Sequence, residues 1–147
     1  MSTAFENISF VPSLLAAIYL MNVPFISYDP VVPFAGQQGG VIMKFNGTSW
    51  VSAGALTSPG YTEHHPVISF DSNNNLYVAC FDLGSTTPNL SKVVVKEFNG
   101  ISFVDMSPNL LHSQMYNLSI VLGSNNTPYI SYFDMTNGNK VVFMKYQ

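Results

Sequence analysis

The chain has 147 residues, of which 47% are hydrophobic and only 9% are charged, so it can bury a core and lacks the composition of a disordered chain. Its formal net charge is −3, and its five basic residues are all lysines. We therefore expect no nucleic-acid partner and no bidentate capture of phosphate or carboxylate by a guanidinium group.

The single cysteine, Cys80, excludes an intramolecular disulfide and leaves the cellular compartment undetermined. An uncharged stretch covers residues 10–25, but Glu6 rather than a basic segment precedes it, and prolines interrupt it. It is also short for a membrane span. We therefore expect neither a signal peptide nor a transmembrane segment.

Three segments of the chain resemble one another at a spacing of 52 residues: LLAAIYLMNVPF from residue 14, PVISFDSNNNLY from residue 66 and LSIVLGSNNTPY from residue 118. Each segment predicts a first strand, a turn and the start of a second strand. The second strands end in the aspartates Asp29, Asp82 and Asp134. Third strands are predicted in all three copies, at 41–45, 94–98 and 142–146.

Two copies then carry Asn-Gly, at 46–47 and 99–100, followed by predicted fourth strands at 48–51 and 101–104. Asn-Gly between β-rich runs predicts a hairpin with a type I′ turn, which requires positive φ at both central residues. Near-continuous apolar runs such as 77–81 indicate strands covered on both faces. Together these features predict an all-β fold, a β-propeller with three four-stranded blades in the chain.

The third copy ends before its fourth strand, and residues 3–6 match the missing strand, with Phe5 in the position of Trp50 and Phe103. We expect a single domain with blades at about 10–54, 64–107 and 116–147, the last completed by residues 2–9 of its own or a partner chain. Because three blades are too few to close a circle, the sequence predicts a homodimer that forms a six-bladed ring. A nine-bladed trimer and a fragment of a longer protein are the alternatives.

The phrases FDSNNNLYVACFD, VIMKFNGTSW and VVVKEFNGISF resemble the repeats of bacterial and environmental β-propeller proteins. In architecture the chain is also similar to small oligomeric propeller lectins, and that resemblance implies sugar pockets between blades, lined by tryptophan and arginine. This chain departs from the pattern, since it has one tryptophan and no arginine. Sialidase propellers use an arginine cluster that the sequence does not contain.

The predicted loops at one end of the blades differ in length and sequence among the copies, whereas the turns at the other end repeat closely. Variable loops on a rigid scaffold usually carry function, so we expect a ligand at the variable-loop end. The candidate binding residues are aromatic and histidine side chains assigned to these loops, namely Phe34, Tyr61, His64, His65 and Tyr116.

The recurrent aspartates Asp29, Asp82 and Asp134 are weak candidates for a cation site, but an Asx turn that starts the following loop explains them better. We expect no metal, no cofactor and no catalytic residue. The sequence therefore predicts a non-enzymatic binding module with lectin-like carbohydrate recognition. A protein-interaction scaffold is the alternative, and an enzyme at the mouth of the channel is the third possibility.

Overall fold

The computed structural model describes residues 14–20, 23–29, 39–56, 63–82, 91–106 and 114–146. Within these ranges no helix is long and apolar enough to cross a membrane. The secondary structure consists of β-strands, which are β1 (Leu14–Leu20), β2 (Val23–Tyr28), β3 (Val41–Phe45), β4 (Trp50–Gly54), β5 (Glu63–Phe70), β6 (Leu76–Asp82), β7 (Lys92–Phe98), β8 (Phe103–Met106), β9 (Met115–Leu122), β10 (Pro128–Asp134) and β11 (Lys140–Lys145).

The strands form three separate antiparallel sheets in which each strand pairs with its neighbour in the chain. The first sheet contains β1–β4, the second β5–β8 and the third β9–β11. The predicted succession of strands is confirmed across the described residues, and β5 and β9 begin 52 residues apart, as the repeat requires. Two of the fourth strands begin later than predicted, at Trp50 and Phe103.

The predicted assembly of these strands into a propeller is wrong. The expectation was three four-stranded blades and a six-bladed homodimeric ring, but the described part of the third sheet has three strands and none of the sheets closes. The predicted closing strand at residues 2–9 lies outside the described residues. Strand and turn signals determine the meander within each sheet, whereas closure depends on the twist and packing angle between sheets, which no local pattern encodes.

The Asn-Gly hairpins form, but not with the expected turn. Each connection has four residues instead of two, and of each Asn-Gly pair only the glycine has positive φ, 98° at Gly47 and 95° at Gly100. The side-chain Oδ1 of Asn46 accepts the N–H groups two and three residues further on, both at 2.9 Å. Asn99 makes the equivalent bonds. The asparagine therefore forms an Asx turn and avoids a left-handed backbone conformation.

The second sheet lies between the other two and contributes to both clusters of the hydrophobic core. Its strand β6 is buried along its whole length, which confirms that the apolar run at 77–81 is covered on both faces. The cluster shared with the first sheet contains Phe25, Ile42, Ala53, Leu56, Ile68, Leu76, Val78 and Phe103. The cluster shared with the third sheet contains Val67, Tyr77, Ala79, Phe81, Val93, Val95, Met115, Leu118, Ile120, Ile130, Tyr132 and Tyr146.

Two further contacts join the second and third sheets. Tyr146, directly after β11, is buried and donates its hydroxyl hydrogen to the backbone carbonyl of Met106 at the end of β8. In addition, the hydroxyl of Ser72, in the turn between β5 and β6, lies 2.8 Å from Oδ1 of Asn126, in the turn between β9 and β10. The two sheets are thus joined by polar contacts outside the apolar cluster between them.

Candidate functional site

The recurrent aspartates lie at the ends of β2, β6 and β10, as predicted, but the structure gives them three different sets of contacts. Oδ1 of Asp134 accepts the backbone N–H groups of Thr136 and Asn137 at 3.0 and 3.1 Å, which is the expected Asx turn. Asp82 is buried and forms an ion pair with Lys92 at 3.0 Å. Asp29 instead reaches from the first sheet to the second.

The contact between Asp29 and His65 is the central feature of the variable-loop end. The backbone N of His65 lies 2.9 Å from both carboxylate oxygens of Asp29. The imidazole Nδ1 lies 3.3 Å from Oδ2 of the same carboxylate. The Asp29 side chain is 13% exposed, whereas the His65 side chain is 49% exposed. The carboxylate therefore fixes an imidazole that stays accessible to solvent.

A β-bulge in β5 places His65 in this position. The pairing with β6 matches His64 to Phe81 and then Val67 to Ala79, so one extra residue is accommodated in β5. His65 has a left-handed backbone conformation with φ of 53°. The bulge turns its N–H towards the first sheet, and the bond to Asp29 offsets part of the strain of this conformation.

Close backbone packing supports the bulge. Pro66 follows His65 and is fully buried. A Cβ atom added to Gly40, which precedes β3 of the first sheet, would lie 2.4 Å from Cγ of Pro66. Gly40 is therefore required because a larger residue would push the bulge, and His65 with it, away from Asp29.

An aromatic ring lies beside the imidazole. The rings of His65 and Phe81 have centroids 6.0 Å apart at an interplanar angle of 77°, an edge-to-face arrangement. Phe81 itself is buried in the core. Because Nδ1 faces the carboxylate, the favoured neutral tautomer carries its proton there and leaves Nε2 to accept a hydrogen bond. The arrangement offers a fixed imidazole beside an apolar surface.

The structure describes three of the five predicted site residues, His64, His65 and Tyr116. His64 and His65 were assigned to a loop but lie in β5, and His65 alone of the predicted set is shown in contact with Asp29. Tyr116 is exposed in β9, at the repeat position that His64 occupies in β5. Phe34 and Tyr61 lie outside the described residues.

Metal-binding geometry is not found in the described part of the chain. No group of three or more histidine, cysteine, aspartate or glutamate side chains there is placed to hold a metal ion. The carboxylates of Asp29, Asp82 and Asp134 belong to three different sheets and make the separate contacts given above.

Sequence reasoning missed the bond between Asp29 and His65. The two residues are 36 positions apart in different repeats, and only the packing of one sheet on the next brings them together. A signal was nevertheless present, since His65 stands before a proline within a strand pattern whose alternation is interrupted. Proline inside a strand pattern indicates either an edge strand or a bulge.

No protein-family model matches the chain, and no curated protein matches it. The fold is similar to the crystal structure of a protein from Bifidobacterium bifidum S17 provisionally named exo-β-1,3-galactanase, with a TM-score of 0.52 and 10% sequence identity. The match covers 83% of this chain and 46% of that protein. This chain therefore spans about half the length of that structure, and the likeness concerns the fold alone.

Proposed function

We propose that the chain is a carbohydrate-binding module and that the exposed imidazole of His65 contacts the sugar. The observation that carries this proposal is the fixation of a half-exposed imidazole by the Asp29 carboxylate across the junction of two sheets. A fixed acceptor suits sugar hydroxyl groups, because binding does not then require the side chain to be ordered first. The fold likeness to a protein named for a galactan-degrading activity agrees with a carbohydrate ligand.

Binding without hydrolysis fits the contacts of the three recurrent aspartates better. Glycoside hydrolysis ordinarily uses a pair of carboxyl groups about 5–9.5 Å apart, one of them acting as a general acid. The Asp29 carboxylate holds the bulge, Asp82 is paired with Lys92, and Asp134 caps its own turn. Each of these carboxylates thus has a contact that accounts for it structurally.

The test is calorimetric titration with β-1,3-linked galactose oligosaccharides, chosen after a glycan array on the purified chain. His65→Asn should weaken binding about tenfold, as expected when one hydrogen bond is lost. Asparagine tolerates the left-handed conformation and keeps the backbone bond to Asp29. The third sheet shows that it fits, because Asn117 occupies the matching bulge with φ of 55°.

The matched control is Thr48→Ala, an exposed substitution in the hairpin turn between β3 and β4. It should bind like the unchanged chain, and all three proteins should share one thermal midpoint. If His65→Asn does not change glycan binding, the binding site lies elsewhere. If the chain binds no glycan, the proposed function is wrong.

A hydrolase is the second candidate, and the name of the similar structure favours it. Release of reducing sugar from β-1,3-galactan by the purified chain would establish it. Glycan binding with no release of product would favour the binding module.

A further inference from the structure

The outer face of the third sheet is apolar and open to solvent. Val141 and Phe143 of β11 are 75% and 68% exposed, and Tyr116 and Val121 of β9 are about half exposed. The ring of Tyr129 stacks on Phe143 with centroids 5.9 Å apart. Monomeric proteins seldom leave such a contiguous apolar surface uncovered, and one of this kind commonly marks an interaction site.

Strand register identifies what this face corresponds to in the other sheets. Phe143 pairs with Ser131 as Val95 pairs with Ala79 in the second sheet and as Ile42 pairs with Ser27 in the first. Ile42 and Val95 are both 0% exposed, because each faces the next sheet in the stack. The third sheet therefore repeats the face through which the first and second sheets pack onto their successors.

We propose that the outer face of the third sheet is an interaction surface for a further antiparallel sheet of the same repeat, contributed by a partner polypeptide. The partner's facing side would carry aliphatic and aromatic side chains, as the inner side of the third sheet does with Leu118, Ile120, Ile130 and Tyr132. Sheets packed face to face lie about 10 Å apart and interdigitate such side chains.

Charge adds one requirement for the partner. Lys145 lies opposite Tyr129 in the third sheet, at the position where the second sheet has Glu97 opposite Tyr77. A partner sheet that covers Tyr129 would bring its own residues close to the Lys145 ammonium group. A lysine of the partner near this position would oppose docking, because like charges repel.

In the experiment the partner sheet is attached covalently to the chain, because a tether raises the effective concentration of the sheet. The full chain is extended after Gln147 with a second copy of residues 107–146, which contains β9–β11 and the connection that precedes β9. The thermal midpoint should rise by several degrees. The appended copy should resist thermolysin at least about tenfold longer than a glycine-serine extension of the same length on the same chain.

Phe143→Glu in the first copy separates docking from independent folding of the extension. In the unextended chain this exposed residue can be replaced with little change in thermal midpoint. In the extended protein the same substitution should lower the midpoint and restore rapid cleavage. If the extension is cleaved as fast as the glycine-serine tail, or if Phe143→Glu acts equally in both proteins, the face does not dock a sheet. Protection of the unextended chain by galactose oligosaccharides alone would assign the face to sugar instead.

Discussion

At the scale of single residues, Gly40 and Pro66 show how one missing side chain positions a site. Gly40 carries no Cβ, so the buried proline of the bulge can approach the backbone of the first sheet. The same approach brings the N–H of His65 to Asp29. The site therefore depends on the absence of a side chain at Gly40 in the first sheet, which leaves room for Pro66 of the second sheet.

Gly40→Ala should lower the free energy of unfolding by roughly 1–3 kcal/mol, the range for overpacking a close contact. The cause would be the collision with Pro66, since the added Cβ would lie 2.4 Å from its Cγ. Urea denaturation measures the loss. In the Pro66→Ala background the same substitution should cost clearly less, and equal costs in both backgrounds would exclude this collision as the cause.

Tyr77 provides a pH-dependent prediction. Burial in the core, followed by the charges of Glu97 and Asp71, raises the pKa of Tyr77 from 10.0 to about 12. The folded state therefore favours the protonated phenol, and this stabilisation is complete below pH 10 and is lost as the pH rises towards about 12. Unfolding midpoints measured in urea should fall across this window, and Tyr77→Phe should fall less steeply. Parallel slopes for the two proteins would contradict the shifted pKa.

At the scale of elements, the asparagine and the glycine of each four-residue hairpin turn have different roles. Asn99 satisfies two backbone donors with its side chain, and Gly100 alone adopts the left-handed conformation. The sequence predicted the hairpin because Asn-Gly is a strong turn signal. The predicted type I′ turn was wrong, because the same dipeptide fits both a two-residue and a four-residue connection.

Asn99→Ala and Gly100→Ala should each cost about 1 kcal/mol, for different reasons. The first loses two side-chain bonds to exposed N–H groups, and the second forces a Cβ into a conformation with φ of 95° although nothing lies within 4 Å of that Cβ. Chemical denaturation of both variants checks the values. Gly100→Asn is the informative control, since asparagine tolerates positive φ and should recover most of the loss.

The strands themselves could be predicted well, and the site could not. A period of 52 residues with apolar runs located the strands, because burial and strand alternation are visible in the local sequence. The Asx turn at Asp134 also followed from the sequence. The role of Asp29 did not, since it depends on a bulge in another repeat. His64 and His65 were assigned to a loop for the same reason, because the bulge interrupts the alternation that would have marked a strand.

At the scale of the whole molecule, the stack of sheets determines which aromatic residues stabilise the fold. Phe81 is buried between the second and third sheets, whereas Phe143 lies on the open outer face. Phe81→Ala should cost roughly 3–5 kcal/mol, and Phe143→Ala should stay within about 0.5 kcal/mol. Guanidinium denaturation compares the two. A large loss at Phe143 would mean that the outer face is already covered in the isolated chain.

The prediction of a closed ring is wrong because of how whole sheets pack on one another. The order of four strands in the first and second sheets agrees with the prediction, but closure into a ring was inferred from strand count and from matching termini rather than from packing. The angle at which one twisted sheet lies on another arises from side chains on both faces together. Such an angle is a property of pairs of sheets and is not visible in either repeat alone.

The central position of the second sheet also sets the order in which the molecule can come apart. Strand β6 pairs with β5 and β7 and is covered on both faces by the first and third sheets, so all of these must be displaced to release it. Strand β11 has one strand partner in the described residues and one covered face. Amide hydrogens of β11 should therefore exchange with solvent through small local openings, and those of β6 only through global unfolding. The stack is consequently a gradient of local stability, highest at its middle layer and lower at the edge strands of its outer sheets, where proteolysis and chain-to-chain strand pairing would begin.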